Sequence, residues 1–223
     1  MPAGIFPFLV LIMLVMLPML FLNIMTLALA KLGIEPAWAP WVVMIMFLGS
    51  LINIPVFREP METPIDRHPL EVWGIQRYLP QLQRQMTERI IAVNVGGFVV
   101  PMILVLYEVS RIWQLYPTAF YPLLIAVGLN ILLCFLTARP VDNVGIVMPA
   151  LLPGTAAAVS AMLLAPEAAP PVAFCAGVLG PVIGADLMHL GKIRRTQVGI
   201  ASIGGAGTFD GIVISGLVAV LLS

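Results

Sequence analysis

The pattern of hydrophobic and polar positions divides this chain into long apolar runs separated by short polar turns. A helix needs roughly 20 apolar residues to cross the hydrocarbon core of a bilayer, and most of the runs reach or approach that length. The runs cover residues 4–29, 40–57, 90–113, 117–137, 144–165, 172–190 and 198–223. The pattern predicts an all-α integral membrane protein, a bundle of about seven transmembrane helices in which residues 1–223 form a single domain.

Helix-breaking residues interrupt two of these runs. Pro149 opens a proline- and glycine-containing segment, residues 149–154, in the fifth run, and glycines crowd residues 204–207 in the seventh. Proline removes a helical hydrogen bond and glycine is poor at holding a helix interior, so we expect broken helices at both places. The fifth run is then either a kinked helix or a re-entrant segment, which would leave six full spans.

The third run contains a polar amide, two glycines and a proline in close succession. Asn94, Gly96, Gly97 and Pro101 together predict a bent or locally unwound segment. Irregular backbone at membrane depth is tolerated only where it is buried in protein or lines a cavity. We therefore expect this segment to line a polar site.

Residues 58–89 form the one long polar stretch. It mixes arginines with acids and carries prolines at positions 60, 64, 69 and 80. These features predict a loop or a small module that lies on the membrane surface.

The distribution of basic residues predicts the orientation of the chain. With the N-terminus inside, the outer loops carry two basic residues, Lys31 and Arg111, and the inner loops carry the other nine. Because inner loops are enriched in Lys and Arg, we expect a cytoplasmic N-terminus and a cytoplasmic location for residues 58–89.

Composition excludes an ordinary soluble protein. The chain of 223 residues is 61% hydrophobic and 10% charged, whereas a soluble domain carries about 25% charged residues. Eleven acids balance eleven bases, so no net charge indicates nucleic acid. The expected partners are membrane lipid and either a transmembrane peptide substrate or a small ion or solute. Cys134 and Cys175 lack the spacing of a zinc site, and we expect neither a metal nor a cofactor.

Two aspartates, Asp186 and Asp210, lie well inside apolar runs. A charged carboxylate at the centre of a membrane helix costs about 2.5–3.5 kcal/mol on insertion scales, so such acids are usually paired and functional. One interpretation makes the two acids the catalytic pair of an intramembrane aspartyl protease, in which one carboxyl activates water and the other protonates the scissile carbonyl. If the last span is a straight helix, Asp186 lies about 9 Å deep and Asp210 about 20 Å deep. The pair can therefore meet only if residues 204–207 are unwound.

A second interpretation makes the same acids part of an ion- or proton-coupled secondary transporter. Discontinuous helices build the substrate and cation sites of such proteins. A break at residues 204–207 would leave Gly211–Leu222 as a half-helix, with Asp210 near its N-terminus. In either function, we expect the substrate- or ion-binding residues to be Asn94, Gly96, Gly97, Pro149, Gly204, Gly205, Gly207 and Thr208.

Two further alternatives stay open. The protein could be a structural membrane protein with no catalytic role, in which Asp186 and Asp210 are protonated packing residues. A metal site could use Asp186 and His189, which share a helix face at a spacing of three. Two ligands do not make a complete site, so this pair indicates a metal only weakly.

Three short motifs resemble those of the presenilin and signal-peptide-peptidase type of intramembrane aspartyl protease. They are Phe209-Asp210, Gly184-Ala185-Asp186 and Pro149-Ala150-Leu151. The family has tyrosine before its first aspartate and a second glycine before its other aspartate, and its three motifs follow the opposite order along the chain. This resemblance implies catalytic roles for Asp186 and Asp210.

Nearly the whole chain resembles a prokaryotic membrane-protein family that is known only as a domain of unknown function. The matching motifs are GSLINIP at 49–55, AVNVGG at 92–97, ARPV at 138–141, GADL at 184–187 and ASIGGAGTFDG at 201–211. The resemblance implies a bacterial or archaeal cytoplasmic membrane and a shared site built from these motifs, and it implies no particular activity.

Overall fold

The computed structural model describes residues 5–60, 88–141, 145–149, 151–193, 200–205 and 211–223. This described part contains seven helices when helices that continue into one another are counted together. They are α1 (Ile5–Lys31), α2 (Ala39–Gly49), α3 (Val100–Leu115), α4 (Phe120–Thr137), α5 (Leu152–Leu164), α6 (Ala169–Leu179) with its continuation α7 (Met188–Ile193), and α8 (Gly211–Leu222).

Two π-helical segments extend these helices. Val95–Val99 leads into α3, and Gly180–Leu187 joins α6 to α7. Three continuous helices are long and apolar enough to cross a membrane, namely Val95–Leu115, Pro117–Thr137 and Pro166–Lys192. The prediction of a mainly helical protein is confirmed, and these three helices have the length and apolar composition that membrane spans require.

The prediction of an all-α protein is wrong at five short strands. They are β1 (Asn53–Pro60), β2 (Glu88–Asn94), β3 (Arg139–Val141), β4 (Gly145–Val147) and β5 (Ile200–Ile203). β1 pairs antiparallel with β2, β2 pairs parallel with β5, and β3 and β4 form a hairpin. Each strand replaces the end of a predicted helix or the turn beside it.

The second apolar run shows why a strand forms. Its helix stops at Gly49, and residues 53–57, which we expected to be helical, belong to β1. Pro55 cannot sit inside a helix without breaking its hydrogen bonds, and the neighbouring Ile54 and Val56 favour extended backbone. The pairing of β1 with β2 shifts register between Pro55 and Phe57, as expected where a proline cannot donate to the ladder.

The core centres on α6, whose residues 171–178 are all buried. α6 packs against α3, α4, α5 and α8. Small residues allow close contacts with α8: a Cβ on Gly177 of α6 would lie 3.0 Å from the carbonyl oxygen of Ser215, and one on Gly154 of α5 would lie 2.7 Å from the same oxygen. Helices in lipid associate largely through such small-residue packing.

Polar side chains tie the helix termini together at one end of the bundle. Lys31, at the end of α1, donates from Nζ to the carbonyls of Val220 and Leu221 at 3.2 Å, and so caps α8. Arg111, near the end of α3, donates to the carbonyl of Leu32. Thr118 Oγ1 donates to Glu167 Oε1 at 2.8 Å and joins the entrances of α4 and α6. We call this the capped end.

Exposed aromatic side chains surround the capped end. Trp38 and Trp41 flank the start of α2, and Trp113 lies near the end of α3. Indole rings favour the headgroup layer of a bilayer, so their position fits a membrane interface.

The five strands and the Gly180–Leu187 π segment lie toward the opposite end, which we call the strand end. β1 follows the end of α2, β2 precedes the start of α3, and the β3–β4 hairpin joins α4 to α5. α7 contacts this hairpin. The fold therefore collects its irregular backbone at one end and its charged helix caps at the other.

Candidate functional site

Asp186 lies in the π-helical segment Gly180–Leu187. Pro181 has no N–H to offer the carbonyl of Gly177 four residues earlier. The hydroxyl of Ser215, on α8, donates to that carbonyl instead, at 2.6 Å. Pro181 thus interrupts the hydrogen bonds of the helix. Ser215, from a neighbouring helix, donates to the Gly177 carbonyl in place of the missing N–H. π-Helical distortions inside α-helices frequently lie at functional sites.

Glycines bring this segment against α4. A Cβ on Gly184 would lie 2.3 Å from the carbonyl oxygen of Ile131. A Cβ on Gly180 would lie 2.5 Å from the side-chain nitrogen Nδ2 of Asn130. Asp186, two residues beyond Gly184, is partly buried and close enough to Cys134 to interact with it electrostatically. Asp186 therefore lies near α4 and is not fully exposed.

His189 is almost completely buried one turn beyond Asp186. Its Nδ1 lies 3.1 Å from the carbonyl oxygens of both Gly184 and Ala185. Because carbonyls only accept, Nδ1 carries the proton and donates to them. The ring packs against Phe135 with 5.1 Å between centroids. His189 therefore binds two carbonyls of the π segment and packs against α4 through Phe135.

The metal interpretation gains no third ligand in the part of the chain that the structure describes. No group of three or more His, Cys, Asp or Glu side chains there could hold a metal ion.

Asn94 organises a second polar cluster, at the end of β2. It is fully buried, and its Nδ2 donates to the carbonyl of Ser50 at 2.7 Å and to Asn53 Oδ1 at 3.0 Å. Its Oδ1 accepts from the Gly97 N–H at 2.7 Å and caps the π turn that begins α3. Ser202 also donates to Asn53 Oδ1, at 2.7 Å. One amide network therefore links the three strands of the sheet to the start of α3.

Backbones approach each other closely around this cluster. A Cβ on Gly96 would lie 1.9 Å from the carbonyl oxygen of Met46, and one on Gly97 would lie 1.9 Å from that of Gly204. Gly204 and Gly205 have φ values of +85° and +87°, which L side chains rarely adopt. Side chains have no room at Gly96, Gly97 and Gly204, because three chain segments cross there, and the positive φ of Gly205 also favours glycine.

The structure brings Asn94, Gly96, Gly97 and Gly204 together, and Gly205 follows directly in the sequence. Their contacts are structural. Both ends of the Asn94 side-chain amide are hydrogen-bonded within the protein, and the glycines pack against the backbone of neighbouring segments. Pro149 is exposed beside the hairpin. Gly207, Thr208 and Asp210 lie outside the described residues, as does most of the 58–89 stretch.

The predicted break in the last span is confirmed. Residues 200–203 are a strand, Gly204 and Gly205 turn the chain, and the half-helix Gly211–Leu222 begins where we expected it. α8 contacts both the π turn before α3 and the π segment that carries Asp186. Asp210 immediately precedes this helix in the sequence.

Sequence reasoning missed a buried ion pair. Glu108 is 0% exposed, and its carboxylate lies 3.0 Å from Arg111 Nη1. The Arg111 guanidinium also packs over the Tyr107 ring, 5.5 Å from its centroid. The charge distribution places Arg111 in an outer loop, whereas the structure places it in α3 beside Glu108. The spacing of three between opposite charges was the available signal, since such residues share a helix face.

Comparisons with known proteins give one match. A family model described as "Protein of unknown function (DUF1614)" matches residues 47–222. No curated protein matches the chain. No solved structure matches it either.

Proposed function

The chain belongs to the DUF1614 family of unknown function, and we propose from the geometry of its strand end that it is an intramembrane aspartyl protease. In this proposal Asp186 and Asp210 form the catalytic pair. The substrate is a transmembrane peptide, which reaches the pair from the lipid bilayer.

The conformation of residues 200–205 is the observation that carries the proposal. A straight helix through this region would hold Asp210 about 10 Å deeper in the membrane than Asp186, too far apart to share a proton. The chain instead runs as strand β5 and turns at two glycines with positive φ. This irregular path removes the geometric obstacle to the pair and so supports it.

The sheet supports a peptide as the substrate. β5 is an outer strand in the order β1–β2–β5, and among the described residues it pairs on one side only. An extended peptide can add to such a strand through backbone hydrogen bonds. Proteolysis needs an extended backbone, because a helix engages its carbonyls in internal hydrogen bonds. An open strand that leads toward Asp210 would hold a substrate in that form.

The chemistry of the pair follows from two carboxyls that share one proton. The ionised carboxyl takes a proton from water, whose oxygen attacks the scissile carbonyl carbon, while the protonated carboxyl donates its proton to the carbonyl oxygen. Collapse of the tetrahedral intermediate breaks the C–N bond, and a proton from the pair goes to the leaving amine. Neither a metal nor another cofactor takes part in these steps.

The proposal extends to the whole chain and its setting. The seven helices form a transmembrane bundle in a prokaryotic cytoplasmic membrane, with the N-terminus in the cytoplasm. The charge asymmetry supports this orientation, because Lys31 and Arg111 lie at the capped end, which would face outward.

A second candidate function, ion- or proton-coupled transport, is favoured by the π segment around Asp186. Broken helices near the middle of the membrane expose backbone groups that bind substrates and ions. The breaks at Gly180–Leu187 and at Gly204 are of this kind. Transport requires the acids to titrate or bind an ion and does not require them to meet.

The test uses purified protein in proteoliposomes with two readouts: cleavage of a fluorescent single-span peptide and pH- or sodium-driven uptake of solutes. The protease proposal expects that Asp186→Asn and Asp210→Asn each abolish cleavage. Glu35→Gln is the matched control, because Glu35 is exposed at the capped end. Cleavage that survives in either aspartate variant overturns the proposal. Uptake that both variants abolish, in protein that never cleaves peptide, establishes the transporter instead.

A further inference from the structure

α1 packs against the other described helices with one side only. Met25, Ala28 and Leu29 are almost fully buried, and α1 contacts α2 and α8. These buried positions recur at spacings of three and four, which place them on the same side of the helix. The opposite side of α1 therefore points away from the bundle.

That opposite side carries exposed side chains at alternating spacings of three and four. A 3–4 repeat is the spacing by which two helices pack along a shared seam, in coiled coils and in most membrane bundles. The spacing by itself selects no seam, because α1 is apolar on every side before Met25. We call the exposed positions of this repeat the free face of α1: Met13, Met16, Leu20, Asn23, Leu27 and Ala30.

Asn23 distinguishes the free face from the rest of the helix. It is the one side chain with a hydrogen-bonding group between Ile5 and Met25, and it is exposed. Its Nδ2 donates to the carbonyl of Met19 at 2.9 Å, and among the described residues no donor reaches its Oδ1. Because a side-chain amide has two N–H groups and one oxygen, a donor and an acceptor are left for a partner.

In the transmembrane orientation proposed above, Asn23 lies in the hydrocarbon of the bilayer. It precedes Lys31, at the capped end, by eight residues, which is about 12 Å along the helix. Acyl chains offer neither a donor nor an acceptor, so lipid leaves the polar groups of an exposed amide unsatisfied. A partner that presents both kinds of group at this depth satisfies them.

A second copy of this chain meets that requirement by identity. All copies take the same orientation in a membrane, because the same loop charges direct each of them. Two α1 helices therefore run parallel, with Asn23 at the same depth in both. A two-fold axis between them places one Asn23 amide against the other, and each donates from Nδ2 to the Oδ1 of its counterpart.

We propose that two copies of this chain associate through the free face of α1, with Asn23 hydrogen-bonded to Asn23 of the second copy. Leu20 and Leu27, which are 58% and 57% exposed, flank this hydrogen bond and pack against their counterparts. The association requires α1 to lie in a membrane. It requires neither Asp186 nor Asp210, so the protease proposal and this one can fail separately.

The first test measures energy transfer between donor-labelled and acceptor-labelled copies of the full chain in proteoliposomes, over a series of lipid dilutions. Asn23→Leu should weaken the association about 5- to 30-fold, the range that corresponds to polar pairs between model membrane helices. Asn23→Gln keeps an amide and should retain most of the association. Ser110→Leu, at an exposed hydroxyl of α3, is the matched control and should leave the association unchanged.

The second test locates the contact on the free face by cross-linking. Leu20→Cys and Leu22→Cys are compared, each in a background with Cys134→Ala and Cys175→Ala. Both positions are exposed and lie at similar depth, but they point about 160° apart around the helix. A disulfide between copies requires Cα atoms within about 7 Å, so oxidation should cross-link the chain at position 20 and not at position 22.

Three results would overturn the proposal. One is energy transfer in the unmodified protein that is no greater than chance proximity of monomers gives. Another is association of Asn23→Leu as tight as that of the unmodified chain. The third is cross-linking of Leu22→Cys as fast as that of Leu20→Cys, which would assign the contact to a different side of α1.

Discussion

The two ends of the helical assembly satisfy their polar groups with different hydrogen-bond partners. At the capped end, charged side chains satisfy helix termini: Lys31 caps α8, and Arg111 pairs with Glu108 while it binds the end of α1. At the strand end, backbone satisfies backbone through short strands and π turns, with the buried amide of Asn94 between them. Charged side chains therefore satisfy the polar groups of the capped end, whereas strand pairing and π turns satisfy those of the strand end.

This difference separates structural acids from candidate functional ones. Glu108 has a cationic partner within its own helix, and that partner, Arg111, joins α3 to the end of α1. Asp186 lies where the helix is distorted and glycines bring other backbones close. Burial of an acid is therefore a weak indicator of function by itself, and the conformation of the surrounding backbone distinguishes the two cases.

The largest expected effect is at the capped end. Arg111→Ala leaves Glu108 buried without a partner, and we expect it to lower the free energy of unfolding by about 3–5 kcal/mol. Denaturation in detergent micelles measures this loss. The double variant Glu108→Leu/Arg111→Met removes both charges and should recover most of the stability. If Arg111→Ala has the effect of Arg58→Ala, at an exposed arginine of β1, then the ion pair does not hold this end.

A smaller effect is expected where backbones cross at the strand end. Gly97→Ala places a methyl group against the Gly204 carbonyl, and we expect a loss of about 1–3 kcal/mol. Gly128→Ala is the matched control, because a Cβ there meets nothing within 4 Å, and alanine should stabilise the helix by about 0.5–1 kcal/mol. The same denaturation assay compares the two, and equal effects would mean that these segments do not cross as described.

The smallest effect concerns the π segment that carries Asp186. Ser215→Ala removes the donor to the Gly177 carbonyl, and hydrogen bonds between membrane helices contribute about 0.6 kcal/mol on average. Ser110→Ala is the control, since Ser110 is exposed and bonds within its own helix. Amide hydrogen exchange should rise at residues 182–187 in Ser215→Ala only. Unchanged exchange there would show that Ser215 does not hold this segment.

The helices and their breaks were predictable because apolar runs, prolines and glycines act locally. Pro149 and Gly204 mark real interruptions, and the start of α8 at Gly211 follows from the glycines before it. The strands were not predictable, since an apolar run of the length of β1 or β5 suits a strand or a helix end equally well. Their pairing joins segments far apart in sequence, such as Ile90 with Ile200.

The candidate site was predictable in part. Asn94, Gly97 and Gly204 stood out in the sequence as candidate site residues, because they are polar or flexible residues inside apolar runs. Their roles were not visible in the sequence, because only the fold shows that the amide caps α3 and that glycine fits where another backbone passes. The ion pair of Glu108 was missed because its partner, Arg111, lies near the end of the third apolar run and was assigned to a loop.

The most direct test of the central claim is a disulfide between positions 186 and 210. Asp186→Cys and Asp210→Cys are combined in a background with Cys134→Ala and Cys175→Ala, and the protein is oxidised in membranes. A disulfide requires Cα atoms within about 7 Å, and Ile54→Cys/Val93→Cys, at paired positions of β1 and β2, is the positive control. The account predicts rapid formation of the 186–210 bond. A positive control that cross-links while positions 186 and 210 stay reduced would contradict it.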